Sequence, residues 1–323
     1  MSDSNSTPRK SDYLRPVIAG VLLISLCLAF LFLLNTYSTL NVSFLLNNSF
    51  LVPAILLQVL ASLLFIFAWK ALLSSQAKTH FSFAQCTAHI GITLLGKYLP
   101  GKIWGLLGRT YLLNIKGLTK SEAASLLLAD QFITFLTGIA IGVVALAAFF
   151  SVEIAIFLAA ATVVTIAIVG YYYASIMSYL LSYLGTWLKK ISKSFELHDV
   201  NIKRHSFYLS ASLYLLHWLC TATVVILLFH PLLSDNLWLN STLIMAAIPL
   251  AMLSGFLALW APGGIGVREA VIVAVLMLSL PLELSMTIAV TYRIICILID
   301  LSLGAYTLIY YSITEPDILK SKQ

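Results

Sequence analysis

Apolar residues fill this chain in long runs, and polar residues gather in short stretches between them. The runs cover approximately residues 17–35, 51–73, 84–99 continuing to about 113, 122–150, 152–174, 207–229, 238–260 continuing to 280, and 285–312. As a helix, about 20 apolar residues cross roughly 30 Å of hydrocarbon. Six of the runs therefore predict full membrane spans. The other two, 84–113 and 238–280, are interrupted by Pro-Gly steps within "KYLPGKIWGLLGR" (97–109) and "APGGIGVRE" (261–269). Proline removes a backbone donor and collides with the preceding turn, while glycine permits a tight reversal. Each of these runs predicts a broken or re-entrant helical hairpin.

Composition supports this reading. Of 323 residues, 60% are hydrophobic and only 10% are charged, against about 25% charged in soluble domains. The pattern predicts an all-α polytopic membrane protein: a membrane domain over 17–312 between short tails, 1–16 and 313–323. The run from Val17 to Leu34 is longer than a signal-peptide core and lacks a small-residue cleavage site after it, so it reads as a retained span. The four cysteines (Cys27, Cys86, Cys220 and Cys296) lie in or beside apolar runs without paired spacing and read as packing residues. The six histidines show no metal-ligand spacing. No metal, nucleotide or other cofactor is expected.

Basic residues set the orientation, because loops rich in Lys and Arg stay cytoplasmic. Arg9, Lys10 and Arg15 place the N-terminus inside; the uncharged stretch 35–50 belongs outside; Lys70 and Lys78 return the chain to the cytoplasm. Lys116 and Lys120 follow the first hairpin, which therefore starts and ends inside. The basic stretch 188–205 reads as a solvated cytoplasmic loop rather than a lipid or nucleic-acid patch, and Lys320 and Lys322 keep the C-terminus inside. The hairpin at 238–280 must then start and end outside. The chain divides into two halves, about 17–150 and 152–312, each reading span, span, hairpin, span, with opposite starting sides. Inverted halves of this kind are a transporter signature. The hairpins also share Pro-Gly-x-Ile, at Pro100–Ile103 and Pro262–Ile265, 162 residues apart.

Irregular backbone at membrane depth is tolerated only against protein or a watery cavity, so the breaks at Pro100, Gly101 and at Pro262, Gly263, Gly264 and Gly266 should line an interior space. Helices restarting after a break offer unpaired N–H groups and a partial positive charge that attract anions. Lys97, Lys102, Arg109, Arg268 and Arg293 lie in or near the apolar runs, against Asp130, Glu269 and Asp300. A charge at the bilayer centre costs roughly 3 kcal/mol on insertion scales. Two uses would justify that cost. Either the cations hold an anionic headgroup, for which the planar Arg fork suits phosphate, or they are locked in internal pairs, Arg268 with Glu269 or Asp130 and Arg293 with Asp300. Trp104, Trp218, Trp260, Tyr98 and Tyr292 either wall such a site or anchor helices at the interface.

At these residues the chain resembles the membrane region of the lysylphosphatidylglycerol synthases, a flippase-like integral membrane family. The resemblance rests on "KYLPGKIW", on "APGGIGVREA" and on "AVTYRIICILID". It implies a translocator fold that moves anionic or aminoacylated phospholipids, or polyprenyl-phosphate carriers, between leaflets of an inner membrane. The sequence departs from the family where Asp130-Gln131 stands in place of a common Glu-Arg pair. It also ends at Gln323 after "SITEPDILKSKQ", so lysyl transfer by a following soluble domain is not expected.

The expected function is therefore lipid translocation, not enzymatic. Lys97, Lys102, Arg109, Arg268 and Arg293 would hold phosphate, the glycines would let backbone approach it, Glu269 would sit in the same site, and Asp130 and Asp300 would gate or balance charge. The expected partners are membrane lipids, anionic ones first, and proteins of envelope lipid or glycan synthesis, with no nucleic acid. The rivals are a non-transporting accessory subunit of such synthesis and a membrane enzyme acting on lipid phosphates, although no paired Asp-x-x-Asp arrangement supports catalysis.

Overall fold

Several helices begin where the sequence places a cap. In "SFAQ" and "TKSE", Ser82 and Thr119 accept the N–H groups of Gln85 and Glu122 (3.2 and 3.1 Å), whose side chains accept the cap N–H in return (3.0 and 2.8 Å). These reciprocal bonds satisfy two of the orphan donors at a helix start. The computed structural model describes residues 48–75, 80–99, 103–191 and 202–314. The expected first span at 17–35, the N-terminal tail, residues 315–323 of the C-terminal tail, Pro100, Gly101 and Lys102, and positions 192–201 of the basic stretch lie outside the described residues.

Among the described residues ten α-helices follow one another: α1 (Leu51–Leu73), α2 (Phe83–Gly96), α3 (Ile103–Ile115), α4 (Lys120–Phe150), α5 (Val152–Tyr171), α6 (Tyr173–Ile191), α7 (Arg204–Phe229), α8 (Leu237–Leu257), α9 (Val267–Leu276) and α10 (Leu282–Thr314). Six stretches among the described residues are long and apolar enough to cross a membrane: Leu51–Leu73, Lys120–Phe150, Val152–Tyr171, Arg204–Leu232, Ser234–Leu257 and Leu282–Thr314. The protein is an all-α, multi-pass membrane protein. Five of these match expected spans. The sixth, containing α8, was expected as a hairpin arm, yet its 21 helical residues reach about 31 Å at 1.5 Å per residue. The arms α2, α3 and α9, of 14, 13 and 10 residues, reach only about 21, 20 and 15 Å and cannot cross alone.

Both hairpins close on themselves. In the second, Ser279 Oγ donates to Asn240 Oδ1 (2.9 Å), which puts the end of α9 beside the start of α8. In the first, α2 and α3 approach so closely that a Cβ on Gly96 would stand 2.1 Å from the Gly105 nitrogen. Small residues let helix backbones meet in this way, which is how apolar helices gain contact in lipid.

The two halves are interlocked. α1 packs along α7, with His217 Nδ1 2.8 Å from the Ala61 carbonyl and the Phe65 ring on Tyr214. α2 packs on α10, where Thr307 Oγ1 donates to the Ala88 carbonyl (3.1 Å), and α8 packs on α4, where Phe135 meets Phe256. Each hairpin thus leans on the closing span of the other half, so the pairing repeats with a two-fold relation between the halves. Glycines mark that relation. Gly142 on α4 receives Leu250 of α8, and Gly304 on α10 receives Leu95 of α2; 304 − 142 is 162, the same offset that separates the two prolines.

One element departs from expectation. The run 152–174 is not one helix extended into a loop: α5 ends at Tyr171, and α6 continues to Ile191 with apolar and Ser/Lys-bearing sides. The first residues of the expected basic loop are therefore helical.

Candidate functional site

The second break is a left-handed turn that only glycine adopts cheaply. Gly263, Gly264 and Gly266 have φ of 60°, 73° and 82°, a region that costs other residues roughly 1–2 kcal/mol each. Gly264 is also a close approach, because a Cβ there would stand 2.7 Å from Arg268 Nε and 3.0 Å from Gly255 Cα. After the turn, Glu269 reaches back to accept the Gly266 N–H (2.7 Å) and starts α9.

The first hairpin's break meets this turn. The Gly263 N–H donates to the Lys97 carbonyl (2.8 Å), and Arg293 Nη2 donates to the Gly263 carbonyl (2.9 Å). The two peptide units that flank Gly263 are thereby held, one by the end of α2 and the other by α10. The two breaks, distant in sequence, form one locus.

The expected site residues sort into ion pairs around it. Lys97 Nζ lies 2.6 Å from Asp300 Oδ2, which also accepts the Tyr98 hydroxyl (2.5 Å). Arg293 Nε lies 3.3 Å from Glu269 Oε1. Arg109 Nη1 lies 3.0 Å from Asp130 Oδ2; the Arg109 guanidinium stacks 3.5 Å over the Trp69 ring, and Tyr214 donates its hydroxyl to the same carboxylate. The alternative internal pairs are corrected accordingly. Asp300 pairs with Lys97, brought in from another helix, rather than with Arg293; Arg293 pairs with Glu269; and Arg268 pairs with neither Glu269 nor Asp130.

Arg268 stands apart. It is only 6% exposed, its Nη1 donates to the Met252 sulfur (2.9 Å), and its Nε has no partner among the described residues. A thioether is a weak acceptor and supplies no countercharge. With three cation–carboxylate pairs formed, Arg268 is the cation among these described residues that forms no ion pair with a carboxylate. A buried cation left so is costly and calls for an anion.

A cavity of about 130 Å³ lies where these groups converge, lined by Lys97, Arg109, Gln131, Met252, Gly263 and Arg268 among others. Pro262 belongs to the turn that bounds it. Of the aromatic candidates, Trp218 lines this cavity and Tyr292 a second one next to it, whereas Trp104 and Trp260 point outward, 40% and 81% exposed. Sequence reasoning missed Trp69, Tyr214, Met252 and Gly255. The one legible hint was a glycine in an otherwise apolar helix at 255, where a Cβ would run into the Arg268 side chain at 2.3 Å.

The family model for the lysylphosphatidylglycerol synthase TM region matches residues 17–304, and the chain belongs to that family. No curated protein and no solved structure matches it.

Proposed function

We propose that this member of the family is a lipid translocator that holds a phosphate-bearing lipid, an anionic phospholipid or a polyprenyl phosphate, with its headgroup in the cavity between the two breaks. The observation that carries this reading is Arg268, a buried guanidinium without a carboxylate, lining that cavity. A phosphate would supply the missing countercharge and accept from its planar fork, and charge-assisted bonds of this kind are about twice as strong as neutral ones. The glycine turn lets backbone come close to such a group. The family's lipid association and the interlocked inverted halves support movement rather than storage.

Lys97, Arg109 and Arg293 contribute positive potential, but each is balanced by a carboxylate, so their part is to shape the cavity around Arg268. Asp130, Glu269 and Asp300 are all engaged in pairs, which favours a binding role over acid–base or metal chemistry, and we propose no catalytic activity. We place the protein in the inner membrane with both termini cytoplasmic, on the distribution of basic residues.

The reading is tested by native mass spectrometry of the protein in gentle detergent and by reconstitution into phosphatidylcholine vesicles carrying fluorescent phosphatidylglycerol. A co-purified phosphate lipid and protein-dependent exposure of the inner-leaflet fluorophore to an external quencher are expected. Bound lipid without movement would favour an accessory role in envelope lipid or glycan synthesis. Neither binding nor movement of any phosphate lipid would end the proposal.

A further inference from the structure

The headgroup cavity does not end at its cations. A narrow neck of about 90 Å³ continues from it, sharing Lys97, His217 and Met252 with the cavity and Gln58, Ser62 and Ile299 with a larger space beyond. That larger space is a groove of about 540 Å³ between α1 and α10, floored by α7, lined by Ile55, Val59 and Leu63 on one side and Leu298, Ile299 and Ser302 on the other. Polarity falls along this path in the order a lipid would need. Cations stand at the inner end, the neck carries the neutralised Lys97–Asp300 pair together with Gln58, Ser62 and Thr221, and the outer end is lined mainly by hydrocarbon.

The neck carries an independent sign of a missing occupant. Threonines in these helices commonly satisfy their hydroxyls on the carbonyl four residues back, as Thr87, Thr93, Thr110 and Thr223 do. Thr221 does not. It is 5% exposed, lines the neck, and its Oγ1 has no partner among the described residues; Gln58 Oε1 beside it is likewise unpartnered. Buried polar atoms are nearly always bonded to something. A donor and acceptor set placed between cations and an apolar groove matches the glycerol or ester region of a lipid.

The two-fold relation adds a second argument. The seam equivalent to α1–α10 is α7–α4, and it is shut: Trp218 Nε1 donates to Thr137 Oγ1 (3.3 Å), and the same indole lies over Gly138. Adding the repeat offset of 162 to Thr137 gives Ile299, which lines the open groove. Among the described residues, equivalent positions are sealed in one half and parted in the other.

We infer that the α1–α10 groove takes a hydrocarbon chain of the lipid whose headgroup fills the Arg268 cavity, and that this seam is where the lipid passes sideways between protein and bilayer. The inference rests on the headgroup reading above and adds the position of the tail. Val59 and Leu298 face outward on the groove's two walls, so tryptophan at either fills it without disturbing the packed interior.

The test uses the full chain in phosphatidylcholine vesicles containing phosphatidylglycerol with a diazirine on its acyl chain. Photolabel should concentrate on α1 and α10 peptides around Ile55–Ser62 and Ile295–Ser302. Val59→Trp or Leu298→Trp should lower that labelling and slow fluorescent phosphatidylglycerol movement by about tenfold, the effect of displacing only about two methylenes from the groove. Ile156→Trp on the lipid-facing side of α5 should change neither. Thermal stabilisation by glycerophosphoglycerol, the headgroup without tails, should survive both groove variants. Label spread evenly over lipid-facing helices, label confined to the α4–α7 seam, or a cross-link from Val59 to residues 17–35 of the same chain would each overturn the inference. Groove labelling without glycerophosphoglycerol stabilisation would instead overturn the headgroup site and leave the groove assignment standing.

Discussion

Arg268 and Arg293 are close in space and alike in burial, yet their removal should have opposite consequences. Arg293→Gln leaves the buried carboxylate of Glu269, among the described residues, with the Gly266 N–H alone, and loss of one member of a buried pair typically costs about 3–5 kcal/mol. It also removes the donor to the Gly263 carbonyl, a further loss of about 1 kcal/mol. Arg268→Gln strands no carboxylate, because among the described residues Arg268 makes its hydrogen bond to the Met252 sulfur and forms no ion pair, and it deletes a buried charge, so stability should hold or rise. Thermal unfolding in detergent should therefore show Arg293→Gln lowered by on the order of 10 °C, at roughly 2–4 °C per kcal/mol, with Arg268→Gln within a few degrees of the parent. Phosphatidylglycerol binding should reverse the ranking of specific effects: Arg268→Lys keeps charge but loses the fork and should weaken binding by about 1–3 kcal/mol with normal folding. The double variant Arg293→Gln, Glu269→Gln should recover most of the lost stability, since neither charge is then stranded. If Arg268→Gln melts as early as Arg293→Gln, or binds phosphatidylglycerol as well as the parent, the free-cation argument is wrong.

Two further outcomes follow from the glycine turn and the hairpins. Gly264→Ala adds a Cβ 2.7 Å from Arg268 Nε at a φ of 73°, so it should cost more than the roughly 1–2 kcal/mol of backbone strain and abolish lipid movement. Gly266→Ala, with open space around its Cβ, should show the strain alone and keep movement. In a Cys-less background, cysteines placed at Ser234 and Pro281 should both react with an impermeant maleimide from outside intact cells, and one at His80 only after permeabilisation; reaction of Ser234 and Pro281 from opposite sides would dissolve the second hairpin.

Helix positions and both breaks were legible because they depend on local chemistry: run length and Pro-Gly steps. The partners of the charges were not. A single helix shows neighbours along its own surface, which is why Asp300, two turns beyond Arg293, suggested that pair. The two-fold packing instead delivers Lys97 to Asp300 and leaves Arg293 to Glu269. The sequence also hid α6, because Ser175, Ser178 and Ser182 break the uniform apolarity of a span, and no proline marks the boundary with α5 at Tyr172. Arg268 was named as a candidate from its motif, but its lack of a countercharge is a property of where the other helices end.

The interlocking of the halves also imposes a timetable on biosynthesis. Lys97 emerges from the ribosome 203 residues before Asp300, an interval of roughly 10–40 s at 5–20 residues per second. Throughout it the first hairpin has no α10 to lean on, its lysine has no counterion, and its arms are too short to cross the bilayer. The nascent hairpin must wait at the membrane surface or within the insertion machinery, and it settles to its final depth only when α10 arrives.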